Sequence, residues 1–260
     1  METILTADIG NSNIVLGCFE TDALAFTERL ITRRKWTRES MAHEILRLLT
    51  SHGVDPASVS GGIISSVVPE LDPILGGAIE RATGSRPLQM DNTLNTGIGT
   101  HRYDVSTLGE DRLVDLAAAA AVYGAPAAVY DLGTCTTLSV IDADANLIGG
   151  MISAGVQLSL DAQAERTSQL PQLTAGPVDR LLGQDTVSNM ISGSVASTGI
   201  MMDGVIRRIR KDYHLPDLKV IVTGGNGKVV LPWIRGRVIY DPDLLLKGML
   251  VIYRMNREKM

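Results

Sequence analysis

Asp8-Ile9-Gly10-Asn11-Ser12-Asn13 near the start of the chain is echoed by Asp131-Leu132-Gly133-Thr134-Cys135-Thr136-Thr137 further on. Each stretch has an aspartate closing a strand-like run, a glycine two residues later, and then side chains that carry amides or hydroxyls. The chemistry open to such a turn is the binding of phosphate together with a cation. The carboxylate can hold hydrated magnesium or another cation, and glycine lets the backbone approach until successive amide N–H groups donate to phosphate oxygens. Asn11, Ser12, Asn13, Thr134 and Thr136 add donors. One turn of this composition is equally an ordinary hairpin, because Asp, Asn and Gly favour turns for their own reasons. Two, placed alike in a repeated unit, point to a triphosphate held from both sides.

A third glycine turn, Gly224-Gly225-Asn226-Gly227, follows the strand-like Val220-Ile221-Val222-Thr223 and would let a base or ribose lie against bare backbone. Gly227-Lys228 is not a P-loop, since it lacks both the glycine five residues upstream and the following Ser or Thr. No Gly-x-Gly-x-x-Gly follows a strand.

The elements behind the turns repeat as well. Residues 2–7, 13–19 and 23–31 read as an antiparallel meander. Residues 39–52 place Met41, Ile45, Leu48 and Leu49 at helical spacing. A short buried strand over 61–66, a helix from about Pro69 and an alanine-rich helix over 109–123 follow, with Pro126 ending the link. The pattern then restarts, with strands over 127–132, 135–142 and 146–153, a helix over 157–166, a long helix from Thr186 to about Tyr213, a strand over 219–223 and a last helix over 243–256. The expected division is 1–124 and 125–260, with the last helix packing back on the first domain. Gly193, Gly199 and Gly204 fall inside the long helix, where glycine costs stability. They mark either close helix packing, as at a dimer interface, or simple helix imperfection.

Composition limits the partners. With 45% hydrophobic and 20% charged residues, the chain has a core to bury. With a net charge of −5 a basic face for nucleic acid is not the default, so any bound phosphate must be held by local geometry and metal rather than by bulk charge. The uncharged run from Leu116 to Tyr130 is short and broken by Gly124 and Pro126, which excludes a membrane span there. No signal peptide is read at the start. Cys18 and Cys135 each sit in a strand-like segment and are read as free thiols in the cytoplasm. His43, His52, His101 and His214 show no metal-ligand spacing. Arg33, Arg34 and Lys35 form a short basic run, read as a solvated loop or a flap over nucleotide.

Three glycine turns in this order resemble the two phosphate segments and the adenosine segment of the acetate/sugar-kinase, heat-shock ATPase and actin superfamily. Within it, Asp8–Asn13, Gly109-Glu110-Asp111-Arg112, Asp131–Thr137, the Gly149–Ala162 stretch, Glu165–Pro171 and Thr223-Gly224-Gly225 resemble type III pantothenate kinases, in family order over nearly the whole chain. The resemblance implies an α/β fold: a duplicated actin-like, ribonuclease H-like architecture of two mixed five-stranded sheets flanked by helices. It implies a homodimer that uses ATP, magnesium and potassium or ammonium to phosphorylate pantothenate, the first step toward coenzyme A. Carried over by position, it makes Asp8, Ile9, Gly10, Asn11, Ser12, Asn13, Ile14 and Val15 the triphosphate lining, with Asp8 a magnesium ligand and Thr134 a further ATP contact. Asp131 would hold the monovalent cation. Asp111 would accept the proton, and Tyr103, Gly109, Glu110, Asp111, Arg112 and Thr186 would contact pantothenate.

The implied chemistry is consistent with the residues. Phosphoryl transfer asks mainly for alignment and charge neutralisation, and the attacking hydroxyl needs a carboxylate within reach. A helix start favours an ionised Asp111 by about 0.3–1 kcal/mol, although the same position would suit an aspartate that only stabilises the helix. Arg112 offers paired donors to the substrate carboxylate or a γ-phosphate oxygen, or stands as a solvated helix arginine. Four departures from the family pattern are present. Glu110 replaces an alanine, Tyr103 lies one residue closer to Gly109, Cys135 stands where alanine is common, and Ala154 stands where proline is frequent. Two rival readings remain: a kinase of this fold with another small hydroxylated acceptor, and a nucleotide-binding regulator without turnover.

Overall fold

The computed structural model describes residues 2–91 and 93–257. The first strand, β1 (Thr3–Ile9), alternates its side chains between two faces. Leu5, Ala7 and Ile9 join one hydrophobic core, which leaves Ile4, Thr6 and Asp8 on the opposite face. β1 pairs antiparallel with β2 (Asn13–Glu20), and β2 with β3 (Ala23–Ile31). The helix α1 (Arg38–Ser51) begins with a capping box, in which Ser40 N–H donates to Thr37 Oγ1 at 3.1 Å and Thr37 N–H donates to Ser40 Oγ at 3.0 Å. Then come β4 (Val59–Ser66), parallel to β1, the helix α2 (Asp72–Thr83), closed by Gly84 at φ 78°, and the short β5 (Leu88–Gln89). The sheet order is β3-β2-β1-β4-β5. α1 and α2 supply Met41, Ile45, Leu75 and Ile79 to the core on the Leu5 face.

The helix predicted over 109–123 changes character midway. α3 (Glu110–Ala118) runs into a π-helical turn over Ala119–Tyr123. Gly124 closes it by donating to the carbonyls of Ala119 and Ala120 at 3.0 and 3.1 Å, with a left-handed φ of 83° that suits glycine. Pro126 cannot continue a helix.

The second sheet repeats the first. β6 (Ala127–Leu132), β7 (Cys135–Ile141) and β8 (Leu147–Ala154) form the meander. The helices α4 (Val156–Arg166) and α5 (Thr186–Asp212) follow. β9 (Lys219–Thr223) runs parallel to β6. The short helix α6 (Gly227–Val230), a turn over Leu231–Trp233, β10 (Ile239–Tyr240) and the last helix α7 (Leu244–Asn256) complete the order. The sheet order β10-β9-β6-β7-β8 is the first order read backwards. Ala128, Tyr130 and Leu132 enter the second core with Val195, Met202 and Ile206 of α5, so Asp131 faces away from it as Asp8 does from the first.

The chain divides into two compact units, 1–97 with 108–118 and 245–260, and 98–107 with 119–244. In the first, α7 lies close against β2 and α3. A side chain at Gly17 would strike Leu246, and one at Gly248 would strike the Val114 carbonyl. In the second, Gly199 of α5 admits the backbone of Trp233, whereas Gly193 and Gly204 face open space. Close packing therefore accounts for one of the three helix glycines, and its partner is the turn after α6.

Candidate active site

The first phosphate turn is a four-residue connection, for Ile9 pairs with Ile14 across it. Gly10 N–H donates to Asn13 O at 2.9 Å. Thr32, just past β3, fastens the turn at both ends, its N–H donating to Ser12 O at 3.0 Å and its hydroxyl to Gly10 O at 2.7 Å. Asn11, Ser12 and Asn13 are exposed and Asp8 is half-buried. Ile9 and Ile14 are wholly buried in the core, so only their backbone is available to line a ligand. Val15, half-buried, pairs with Asp8. Nothing in the sequence around Thr32 marks it, because its partner turn lies two strands away.

The second turn is one residue shorter, since Leu132 pairs with Thr136. Gly133 N–H donates to Cys135 O at 3.1 Å, and Gly155 N–H to Thr134 O at 3.0 Å. The correspondence extends to the neighbouring strand: Asp8 lies opposite Ser65 of β4, and Asp131 opposite Thr223 of β9. The two aspartates are therefore the same position of a duplicated sheet.

The glycine turn after β9 is tied to the second phosphate turn. Asn226 N–H donates to Leu132 O at 3.0 Å, and its side-chain amide donates to Leu132 O and Gly133 O at 3.2 Å each. Gly224 has a left-handed φ of 89°, and a side chain there would run into the Asp131 carboxylate and the Leu132 backbone. Asn226 was legible only as part of a glycine turn, not as the link between two turns.

Asp8–Val15 and Gly109–Arg112 belong to the first unit, and Tyr103, Asp131, Thr134 and Thr186 to the second. In the first unit, α3 packs on β4, the strand beside β1, and touches α7. α7 covers Gly17, which pairs with Thr6, so α3 and Asp8 share one face of the sheet. Asp111 begins this helix with Glu110. Its Oδ1 accepts from Arg112 N–H at 2.8 Å and folds back over Gly109. Arg112 is 7% exposed, which rules out the solvated-arginine reading. Glu110 is half-buried, and its carboxyl is pushed above the usual range by that burial first and then by Asp91, Asp72 and Asp111. In the second unit, Thr186 is the exposed first residue of α5, set by a capping box in which Ser188 N–H donates to Asp185 Oδ1 at 2.9 Å. Tyr103 is half-buried and its N–H donates to Thr100 O at 2.9 Å.

Among the described residues no three His, Cys, Asp or Glu side chains gather to hold a metal. Asp8 is compatible with a divalent cation held beside phosphates, through one carboxylate, phosphate oxygens and water rather than an all-protein cage. Asp131, its carboxylate seated against the bare α-carbon of Gly224, fits a cation taken by oxygen donors.

A family model described as type III pantothenate kinase matches residues 4–208. The type III pantothenate kinase of Agathobacter rectalis is 32% identical over 256 residues, 98% of both chains. That of Shouchella clausii is 34% identical over 255 residues, 98% of this chain and 100% of its own. Among solved structures, a conserved putative Baf family transcriptional activator from Campylobacter jejuni has a TM-score of 0.59 at 20% identity, covering 98% of this chain and 99% of that one. A ROK hexokinase from Thermus thermophilus has a TM-score of 0.53 at 11% identity, with the same coverage. These structures show the duplicated actin-like fold. With the motifs in order, the two turns at equivalent strand ends and relatives matched over their full length, the chain belongs to the type III pantothenate kinase family.

Proposed function

We propose that this protein transfers the γ-phosphoryl group of ATP to the terminal hydroxyl of pantothenate, giving 4'-phosphopantothenate for coenzyme A synthesis. The observation that carries the reading is the equivalence of Asp8 and Asp131, each two residues before a turn glycine and opposite a hydroxyl residue of the parallel strand. Backbone N–H groups of the turns would receive the phosphates, and Asn226 would hold the second turn to the adenosine turn. Asp111 would accept the hydroxyl proton, and buried Arg112 would orient the acceptor with Thr186 and Tyr103. Magnesium at Asp8 and potassium or ammonium at Asp131 would neutralise phosphate charge.

A homodimer is part of this proposal. β8 is an edge strand, and its Met151 and Ile152 are 50% and 64% exposed. Val187, Ile200 and Met201 of α5 are exposed as well. Apolar edges of this kind are usually covered. The free state of Cys18 and Cys135 agrees with a reducing cytoplasm, and no described helix is long and apolar enough to cross a membrane.

The test is ADP release by a coupled assay with ATP, magnesium and potassium, with and without pantothenate, on the native chain and Asp111→Asn. Pantothenate-dependent release that falls at least a hundredfold in the variant is expected. Release driven only by another acceptor, or nucleotide binding without release, would replace this reading.

A further inference from the structure

A cavity within the second unit is lined by none of the residues proposed above for catalysis or substrate binding. α5 and the loop after the Leu231–Trp233 turn enclose about 610 Å³, within the range of small-molecule pockets. Its apolar wall comes from Met202, Ile206 and Val220, which are nearly fully buried. Four arginines, Arg207, Arg210, Arg235 and Arg237, also line it. None of these is in an ion pair among the described residues. The one carboxylate lining the cavity, Asp203, is already engaged, accepting from the backbone N–H groups of Arg235 at 2.7 Å and Gly236 at 3.0 Å. That contact fixes the loop, and one carboxylate against four arginines leaves the lining net positive.

Two donors in the lining are buried and without an acceptor, Arg210 Nε and Trp233 Nε1. Arg210 keeps its place by donating from Nη2 to Leu218 O at 2.9 Å. Gly199 lets the Trp233 backbone close on α5. Guanidinium groups only donate, so a ligand that pairs with the four arginines must bring acceptor oxygens. A dianionic phosphate suits a set of guanidinium groups best. In a chain of net charge −5, gathering four arginines without carboxylate partners is a local arrangement, not a reflection of composition.

We propose that this cavity binds a phosphate monoester carried on an apolar body, at a site separate from the phosphate turns. The chain has two tryptophans, and Trp36→Phe leaves Trp233 as the only reporter. Phenyl phosphate should quench the Trp233 fluorescence of this variant saturably, with inorganic phosphate and phenol each at least tenfold weaker. Arg207→Gln with Arg237→Gln should weaken phenyl phosphate at least tenfold and leave the melting temperature and ADP release unchanged, since both side chains are exposed. Saturating ATP with magnesium should leave the quench in place. Absence of a saturable response, an undiminished response in the double variant, or its abolition by ATP would overturn the proposal. The last outcome would make the cavity part of the nucleotide site without affecting the assignment of the kinase reaction.

Discussion

The Asp111 carboxylate occupies the space that a side chain at Gly109 would need. Because the obstacle is the end of a flexible side chain and not backbone, Gly109→Ala can be accommodated by turning Asp111 away. The fold should tolerate the change while the carboxylate proposed as the base loses its position. A misplacement of about an ångström costs on the order of a hundredfold in rate. Gly109→Ala is therefore expected to lower kcat by ten- to a hundredfold with a melting temperature within about 2 °C of the native value. Steady-state kinetics beside calorimetry checks this, and a collapse of stability with retained kcat would show that the contact is structural.

Glu110 stands where burial and then Asp91, Asp72 and Asp111 disfavour its charge. Its native carboxyl is raised, so as pH rises from the ordinary glutamate range the unfolded chain releases this proton before the folded one. Stability then falls with pH until Glu110 ionises in the native state, and the cost remains above that point. Glu110→Gln should raise stability at neutral pH by about 0.5 kcal/mol, after discounting its exposed part for solvent screening. The gain should vanish below the ordinary glutamate range. KM for pantothenate, an anion, should fall about two- to fivefold with kcat little changed. Urea unfolding at two pH values and initial rates test both parts.

Asn226 ties the turn after β9 to the turn after β6 by its backbone and its side chain. Asn226→Ala removes both side-chain bonds to the Leu132 and Gly133 carbonyls but keeps the backbone bond at 3.0 Å. At roughly 1 kcal/mol for such a loss, KM for ATP should rise about fivefold while KM for pantothenate stays within twofold. Equal rises in both constants would mean that Asn226 supports the unit generally.

How much of this was written in the sequence follows from the range of each interaction. The meander, the long α5 and the last helix were legible because their signals are local: alternation, helical spacing and Gly-rich turns. The duplicated turns were legible because Asp8 and Asp131 recur with their glycines. The two-residue strands β5 and β10 carry no periodic signal and are defined only by pairing with β4 and β9. The burial of Arg112 was hidden because a single helix turn does not reveal what covers it. Thr32 and Asn226 escaped notice as turn fasteners because each acts on carbonyls distant in sequence.

Thr32 offers the sharpest test of the first turn. Its hydroxyl donates to Gly10 O at 2.7 Å, and its backbone N–H donates to Ser12 O at 3.0 Å. Thr32→Val keeps the shape, the β-branch and the backbone bond, and removes only the hydroxyl donor. The half-buried side chain limits the stability cost to about 1 kcal/mol. The functional cost should fall on the triphosphate, because the proposed function brings backbone at Gly10 up to it. KM for ATP should rise three- to tenfold, and Thr32→Ser, which restores the donor, should recover most of the loss. If Val matches the native chain and Ser is impaired, the β-branch and not the hydroxyl shapes the turn, and the N–H to Ser12 suffices to hold it.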